Sequence, residues 1–123
     1  MQLQIADGLP LPITQRDVSL NGHAIEVRLC AENPAADFMP TSGTIRCWQT
    51  ELSPDIRADI RIDAGIADGI EDSPWYDSML AKVIAWGETR EHARLRLCKA
   101  LDEIVLLGPA TNQHFLHLSL IHI

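Results

Sequence analysis

The stretch Met79-Leu80-Ala81-Lys82-Val83-Ile84-Ala85-Trp86 decides the reading of the fold. It is apolar except at Lys82. A continuous apolar run of this length suits a strand in the middle of a sheet. The next three residues, Gly87-Glu88-Thr89, read as a turn followed by a helix cap. The Thr89 hydroxyl can accept a bond from one of the first free amides, and Glu91 falls in the first turn, where the helix dipole favours a carboxylate. Beyond the cap, Ala93, Leu97, Ala100, Leu101 and Ile104 recur at helical spacing on one face, while Arg90, Arg94 and Lys99 lie off it. Gly108-Pro109 is predicted to stop this helix. A second helix is predicted to start with Thr111 or Asn112 as its cap and to run through Phe115, Leu116 and Leu118.

Upstream of the central strand the pattern changes to period two. Ile25, Val27 and Leu29 share one face and Glu26, Arg28 and Cys30 the other, which predicts a half-buried strand ended by Asn33-Pro34. Pro40 to Gly43 makes a second break, and Thr44 to Gln49 is predicted as a short strand with Ile45 and Cys47 on the same side. Glu51 to Asp55 reads as a loop carrying Pro54. Ala58 to Asp63 alternates again, with Ile60 and Ile62 facing in and Arg61 and Asp63 facing out. Gly65 and Gly69 punctuate a turn region, and Ser73-Pro74 opens the segment that leads to the central strand. Met1 to Ala6 has the look of the frayed end of a helix, and Gly8-Leu9-Pro10-Leu11-Pro12 breaks any regular element after it. The main domain boundary is placed between Thr14 and Gly22. Together these elements predict an α+β domain, an antiparallel sheet with helices late in the chain.

The chain has 123 residues, of which 46% are hydrophobic and 22% charged, the composition of a globular domain with one core. Its net charge of −7 disfavours polyanionic partners, so neither nucleic acid nor an anionic membrane surface is expected. Cys30, Cys47 and Cys98 are odd in number, widely spaced and free of any CxxC pair, which points to thiols in a reducing compartment. No apolar run is long enough to cross a bilayer, and Met1 to Gly8 lacks the features of a signal peptide.

Candidate chemistry is sparse. No phosphate-binding glycine loop, nucleophile elbow or zinc-protease motif is present. His114 and His117 are three apart on the predicted last helix and could share a metal, but no carboxylate or thiol stands beside them in sequence, so packing or surface roles fit better. Arg61 and Asp63 project from the polar side of a strand whose other side is apolar. On pattern alone they read as a solvent-facing ion pair, worth under ~1 kcal/mol, or as a rigidly mounted guanidinium that meets an anion.

Several strings taken together resemble one family. Gly22-His23-Ala24-Ile25-Glu26-Val27-Arg28, with Ala31-Glu32-Asn33-Pro34 after it, is similar to the opening of the biotin carboxylase C-terminal domain. Phe38-Met39-Pro40 with Ser42-Gly43 resembles its next loop, and Tyr76-Asp77-Ser78-Met79-Leu80-Ala81-Lys82 its most distinctive string. Gly87-Glu88-Thr89-Arg90, Ala100-Leu101-Asp102-Glu103 and Thr111-Asn112 continue the resemblance in register. Two departures stand out: Asn33 takes the place of the usual Asp after Ala-Glu, and Ser119-Leu120-Ile121-His122-Ile123 does not resemble the family's continuation.

The resemblance implies a piece of the biotin carboxylase component of an acyl-CoA carboxylase, an ATP-grasp ligase that carboxylates biotin with ATP and bicarbonate. It implies that residues 1–17 are the end of the ATP-grasp domain, that 18–118 form the C-terminal domain, and that 119–123 are a non-native tail. The phosphate loop and the ligands of Mg2+ or Mn2+ would then lie upstream of Met1, no metal ligand would fall in this chain, and the chain alone would be inactive. One family catalytic residue is implied here. The family carries an arginine fifteen positions before the tyrosine of its Tyr-Asp string, and counting back from Tyr76 gives Arg61, with Arg57 as a neighbouring competitor. In the family this arginine meets the ureido oxygen of biotin, which gains negative charge when the ureido nitrogen is deprotonated. A fixed donor at such an oxygen is worth roughly 2.7–4 kcal/mol. The resemblance further implies a biotin carboxyl carrier domain and a carboxyltransferase component as partners. It implies pairing of copies around Trp86 and Arg90, so that this domain could instead serve as a non-catalytic dimerisation module. The implied location is cytoplasmic, or the mitochondrial matrix in a eukaryote. Trp48-Gln49, Val105-Leu106-Leu107-Gly108 and Asn112-Gln113 are similar to carboxylases for methylcrotonyl- or geranyl-CoA.

Overall fold

The apolar run at 79–86 does form the middle strand of the main sheet. The computed structural model describes the chain from Met1 to Ile123 apart from Pro74 and Tyr76. The predicted opening at Ser73-Pro74 and the tyrosine of the Tyr-Asp string therefore fall partly outside the described residues. The elements in order are α1 (Gln2–Ala6), β1 (His23–Cys30), β2 (Glu32–Asn33), β3 (Met39–Pro40), β4 (Gly43–Thr44), β5 (Cys47–Gln49), α2 (Pro54–Arg57), β6 (Ile60–Ala64), β7 (Glu71–Asp72), β8 (Met79–Gly87), α3 (Arg90–Glu103), β9 (Val105–Leu107) and α4 (Gln113–Ile121).

The main sheet has the order β1-β8-β6 and is antiparallel throughout. Its register sets Val27 and Ile62 on either side of Val83, and Ile25 and Ile60 on either side of Ala85. That row of apolar residues faces α3, which buries Ala93, Leu97, Ala100 and Leu101 against it. Ile56, Cys98, Ile104 and Leu120 belong to the same core. The small side chains Ala85, Ala93 and Ala100 leave room for helix and sheet to approach, and Leu97, fully buried, fills the centre. Three two-stranded ribbons, β2-β3, β4-β7 and β5-β9, decorate this layer pair. The α+β reading with an antiparallel sheet and late helices holds.

Four local expectations change. The strand predicted over Thr44 to Gln49 is split, because the Ile45 amide bonds to Ile70 O while the Arg46 amide bonds to Leu107 O, so the segment changes partners midway. Within 51–55, Pro54 starts a short helix instead of marking a loop, at the first helical position where a missing N–H costs nothing. The first long helix does not reach Gly108-Pro109. It ends at Glu103, and Val105–Leu107 cross as β9 to pair with β5. Gln113 makes that early end possible: its side-chain amide donates to Leu101 O at 2.7 Å and Ile104 O at 2.9 Å, two carbonyls at the end of α3. Finally, β8 is buried on both faces only near its start, where Leu80 and Ala81 project to opposite sides. Leu80, Ala81, Val83 and Ala85 are buried, whereas Lys82 and Ile84 are half-buried and Trp86 is exposed.

At the chain's ends, residues 1–24 are all exposed, and α4 runs through Ser119 to Ile121 with Leu120 buried. Among the described residues, no helix is long and apolar enough to cross a membrane.

Candidate functional site

The face of the main sheet turned away from α3 carries the charged residues. Directly opposed residues of an antiparallel sheet project to the same side. The register therefore puts Glu26, Ile84 and Arg61 in one row across β1, β8 and β6, and Arg28, Lys82 and Asp63 in the next. Trp86 stands one row further along β8, opposite Ala24.

Arg61 is the most exposed of the ion-paired residues on this face, with 75% of its side chain accessible. Its Nε donates to Asp63 Oδ1 at 2.9 Å. The hydrogen bond from Arg61 holds the Asp63 carboxyl below the usual carboxylate range, helped by Lys82, whose Nζ lies 3.6 Å from Oδ2. The same bond raises Arg61 above its ordinary value, so its positive charge is secure at any working pH. Both sequence readings of the pair are thus compatible with one geometry: an ion pair that fixes the Nε edge of a guanidinium and leaves the group accessible. Arg57, the competitor, ends α2 off the sheet.

A groove of about 310 Å³ runs beside Arg61, lined by Ala58, Asp59, Ile60, Arg61, Ile84 and Trp86. It brings Arg61 and Trp86 together. The Trp86 ring is held at the other side of the groove by the turn that precedes β1. Its Nε1 donates to Asn21 O at 3.1 Å. Gly22 sits in the left-handed region at φ +71°, and a Cβ there would meet the Trp86 ring at 2.7 Å, so a side chain at 22 would dislodge the indole. Trp86 remains 40% exposed.

Arg90 opens α3 and is exposed, joined to the Trp86 end of β8 by Gly87-Glu88-Thr89. Gly87 is required by close approach, since a Cβ there would lie 2.4 Å from the Ala93 amide nitrogen. The Thr89 hydroxyl accepts from the His92 amide at 3.1 Å, as the cap reading expects. Arg90 is not among the described residues that line the groove shared by Arg61 and Trp86.

Two charged residues of this region escaped the sequence reading, Asp59 and Arg96. Arg96, on α3, donates from Nη1 to Trp86 O at 2.9 Å, and its Nη2 lies 3.1 Å from Asp59 Oδ2. No local spacing links residues 59, 86 and 96, so only the register of the sheet under α3 could reveal the contact.

The histidines go elsewhere. His117 Nδ1 lies 2.5 Å from Asp102 Oδ1 and ties α4 to α3. Among the described residues no group of three His, Cys, Asp or Glu is placed to hold a metal ion. Cys30 and Cys47 are half-buried and Cys98 is buried, all three as free thiols.

Set beside known proteins, residues 26–122 match the family model of the biotin carboxylase C-terminal domain. The chain belongs to that family. It is 42% identical over 114 residues to a pyruvate carboxylase subunit of Methanothermobacter thermautotrophicus, an alignment covering 93% of this chain and 22% of that protein. It is 41% identical over 120 residues to biotin carboxylase 1 of Bacillus subtilis, covering 98% of this chain and 26% of the relative. The solved biotin carboxylase domain of Hydrogenobacter thermophilus 2-oxoglutarate carboxylase, a dimer in complex with MgADP, ADP and bicarbonate, superposes with a TM-score of 0.89 at 34% identity, over 97% of this chain and 25% of that one. The biotin carboxylase subunit of a pyruvate carboxylase superposes equally well, with a TM-score of 0.89 at 37% identity over 97% of this chain and 26% of that one. The chain thus spans about a quarter of the length of these biotin carboxylase relatives.

Proposed function

We propose that this chain is the C-terminal domain of the biotin carboxylase component of an acyl-CoA carboxylase, and that Arg61 is its contribution to the chemistry. The observation that carries the reading is the placement of Arg61 on an open sheet face, fixed through Nε by Asp63 and bordering a groove whose other walls include Ile84 and Trp86. A groove lined by Ala58, Ile60, Ile84 and Trp86 with the accessible Arg61 guanidinium, and with Asp59 at its edge paired to Arg96, suits the bicyclic ring of biotin, with the ureido oxygen as acceptor. As the ureido nitrogen loses its proton, negative charge grows on that oxygen. The Arg61 guanidinium stabilises it in place, because the strand and Asp63 have already oriented the donor.

Biotin would arrive on a carrier domain, with a carboxyltransferase component as the next partner. ATP, bicarbonate and Mg2+ or Mn2+ belong in this reading to the ATP-grasp portion of the whole enzyme. Residues 1–17 would be the end of that portion. In support, their apolar side chains are left in solvent, Leu3 at 87% and Leu9 at 52% exposure. The acyl-CoA class is supported by the 38% identity over 115 residues to the alpha chain of methylcrotonoyl-CoA carboxylase of Dictyostelium discoideum, a mitochondrial protein. A cytoplasmic or matrix location fits three free thiols.

The test is made on the full-length protein that contains this chain. ADP release should depend on both bicarbonate and free biotin. ADP release indifferent to biotin would contradict the proposal.

A second reading is a dimerisation module around Trp86 and Arg90. It is favoured by the exposed indole at the end of β8 beside the exposed first residue of α3. Sedimentation of the full-length protein across a range of concentrations tests it; a strictly monomeric protein would argue against this surface.

A further inference from the structure

We draw no further inference here: the strongest candidate, the apolar groove of about 300 Å³ that Pro34, Ala35, Phe115 and Leu118 line between the turn after β2 and the outer face of α4, is an unpartnered face, and nothing in the structure shows what covers it.

Discussion

Arg61 and Trp86 stand on neighbouring strands and form two walls of one groove, with Ile84 between them in the register. The indole owes its place to Gly22, whose missing Cβ lets the ring lie on the Asn21-Gly22 turn. Gly22→Ala should therefore act at a distance: it should displace Trp86 and also lose stability from the left-handed backbone at 22. Quenching and emission wavelength of Trp86, in a background where Trp48 and Trp75 are replaced by Phe, would read the displacement. Unchanged emission in Gly22→Ala would contradict it.

Among the described residues Asn112 is the one buried polar residue, at 7% exposure. Its Oδ1 accepts from the Cys30 amide at 2.9 Å and its Nδ2 donates to Arg28 O at 3.1 Å, so one side chain ties the start of α4 to the end of β1. Asn112→Ala leaves both backbone groups unpaired and should cost about 2 kcal/mol of stability. Asn112→Asp should be worse above the carboxylate range, because a charged oxygen would then face the Arg28 carbonyl. Denaturant unfolding at pH 7 ranks the two variants, and a neutral Asn112→Asp would refute the pinning role.

Leu97 is fully buried where α3 crosses the sheet. Leu97→Ala should destabilise by about 2–5 kcal/mol, the usual range for a large cavity in a packed core. Leu95, on the same helix but 51% exposed, should tolerate Ala with a change within about 0.5 kcal/mol. Similar losses at the two positions would contradict the assignment of the helix face.

Stability should fall in acid. Hydrogen bonds from Arg61, Ser53, Thr14, Arg94 and Lys99 hold Asp63, Glu103, Asp17, Glu91 and Asp55, respectively, below the ordinary carboxylate range. A carboxyl whose pKa is lower folded than unfolded stabilises fully above the unfolded value, near ~4, and loses that contribution as pH falls through the folded value. Asp72 opposes the trend, since burial raises it. The thermal midpoint should be flat from pH 7 to 5 and drop toward pH 3, and Glu103→Gln should shrink the drop. A midpoint that rises on acidification would contradict the sign.

What rests on local periodicity was legible in the sequence. The central strand, the apolar face of α3 and its Thr89 cap could be read because each is written within a few residues. The early end of α3 could not, because no glycine or proline interrupts the chain between Glu103 and Leu107. What ends the helix there is the remote side chain of Gln113 together with the pairing of β9 with β5. Pro54 misled for a related reason, since proline marks both a loop and the first turn of a helix. Arg61 was singled out by alternation and by the family's string. Asp59 and Arg96 were invisible, since a contact from α3 to the first rung of β6 leaves no spacing to read.

The central claim is that Arg61 serves the biotin step alone. The most direct measurement is kcat/KM for free biotin in the full-length carboxylase with Arg61→Ala, set against KM for ATP. A fall of roughly a hundred- to a thousandfold in the first, the usual loss for one stabilising donor, with the second unchanged, is the predicted result. Biotin carboxylation at the parental rate in Arg61→Ala would contradict the account.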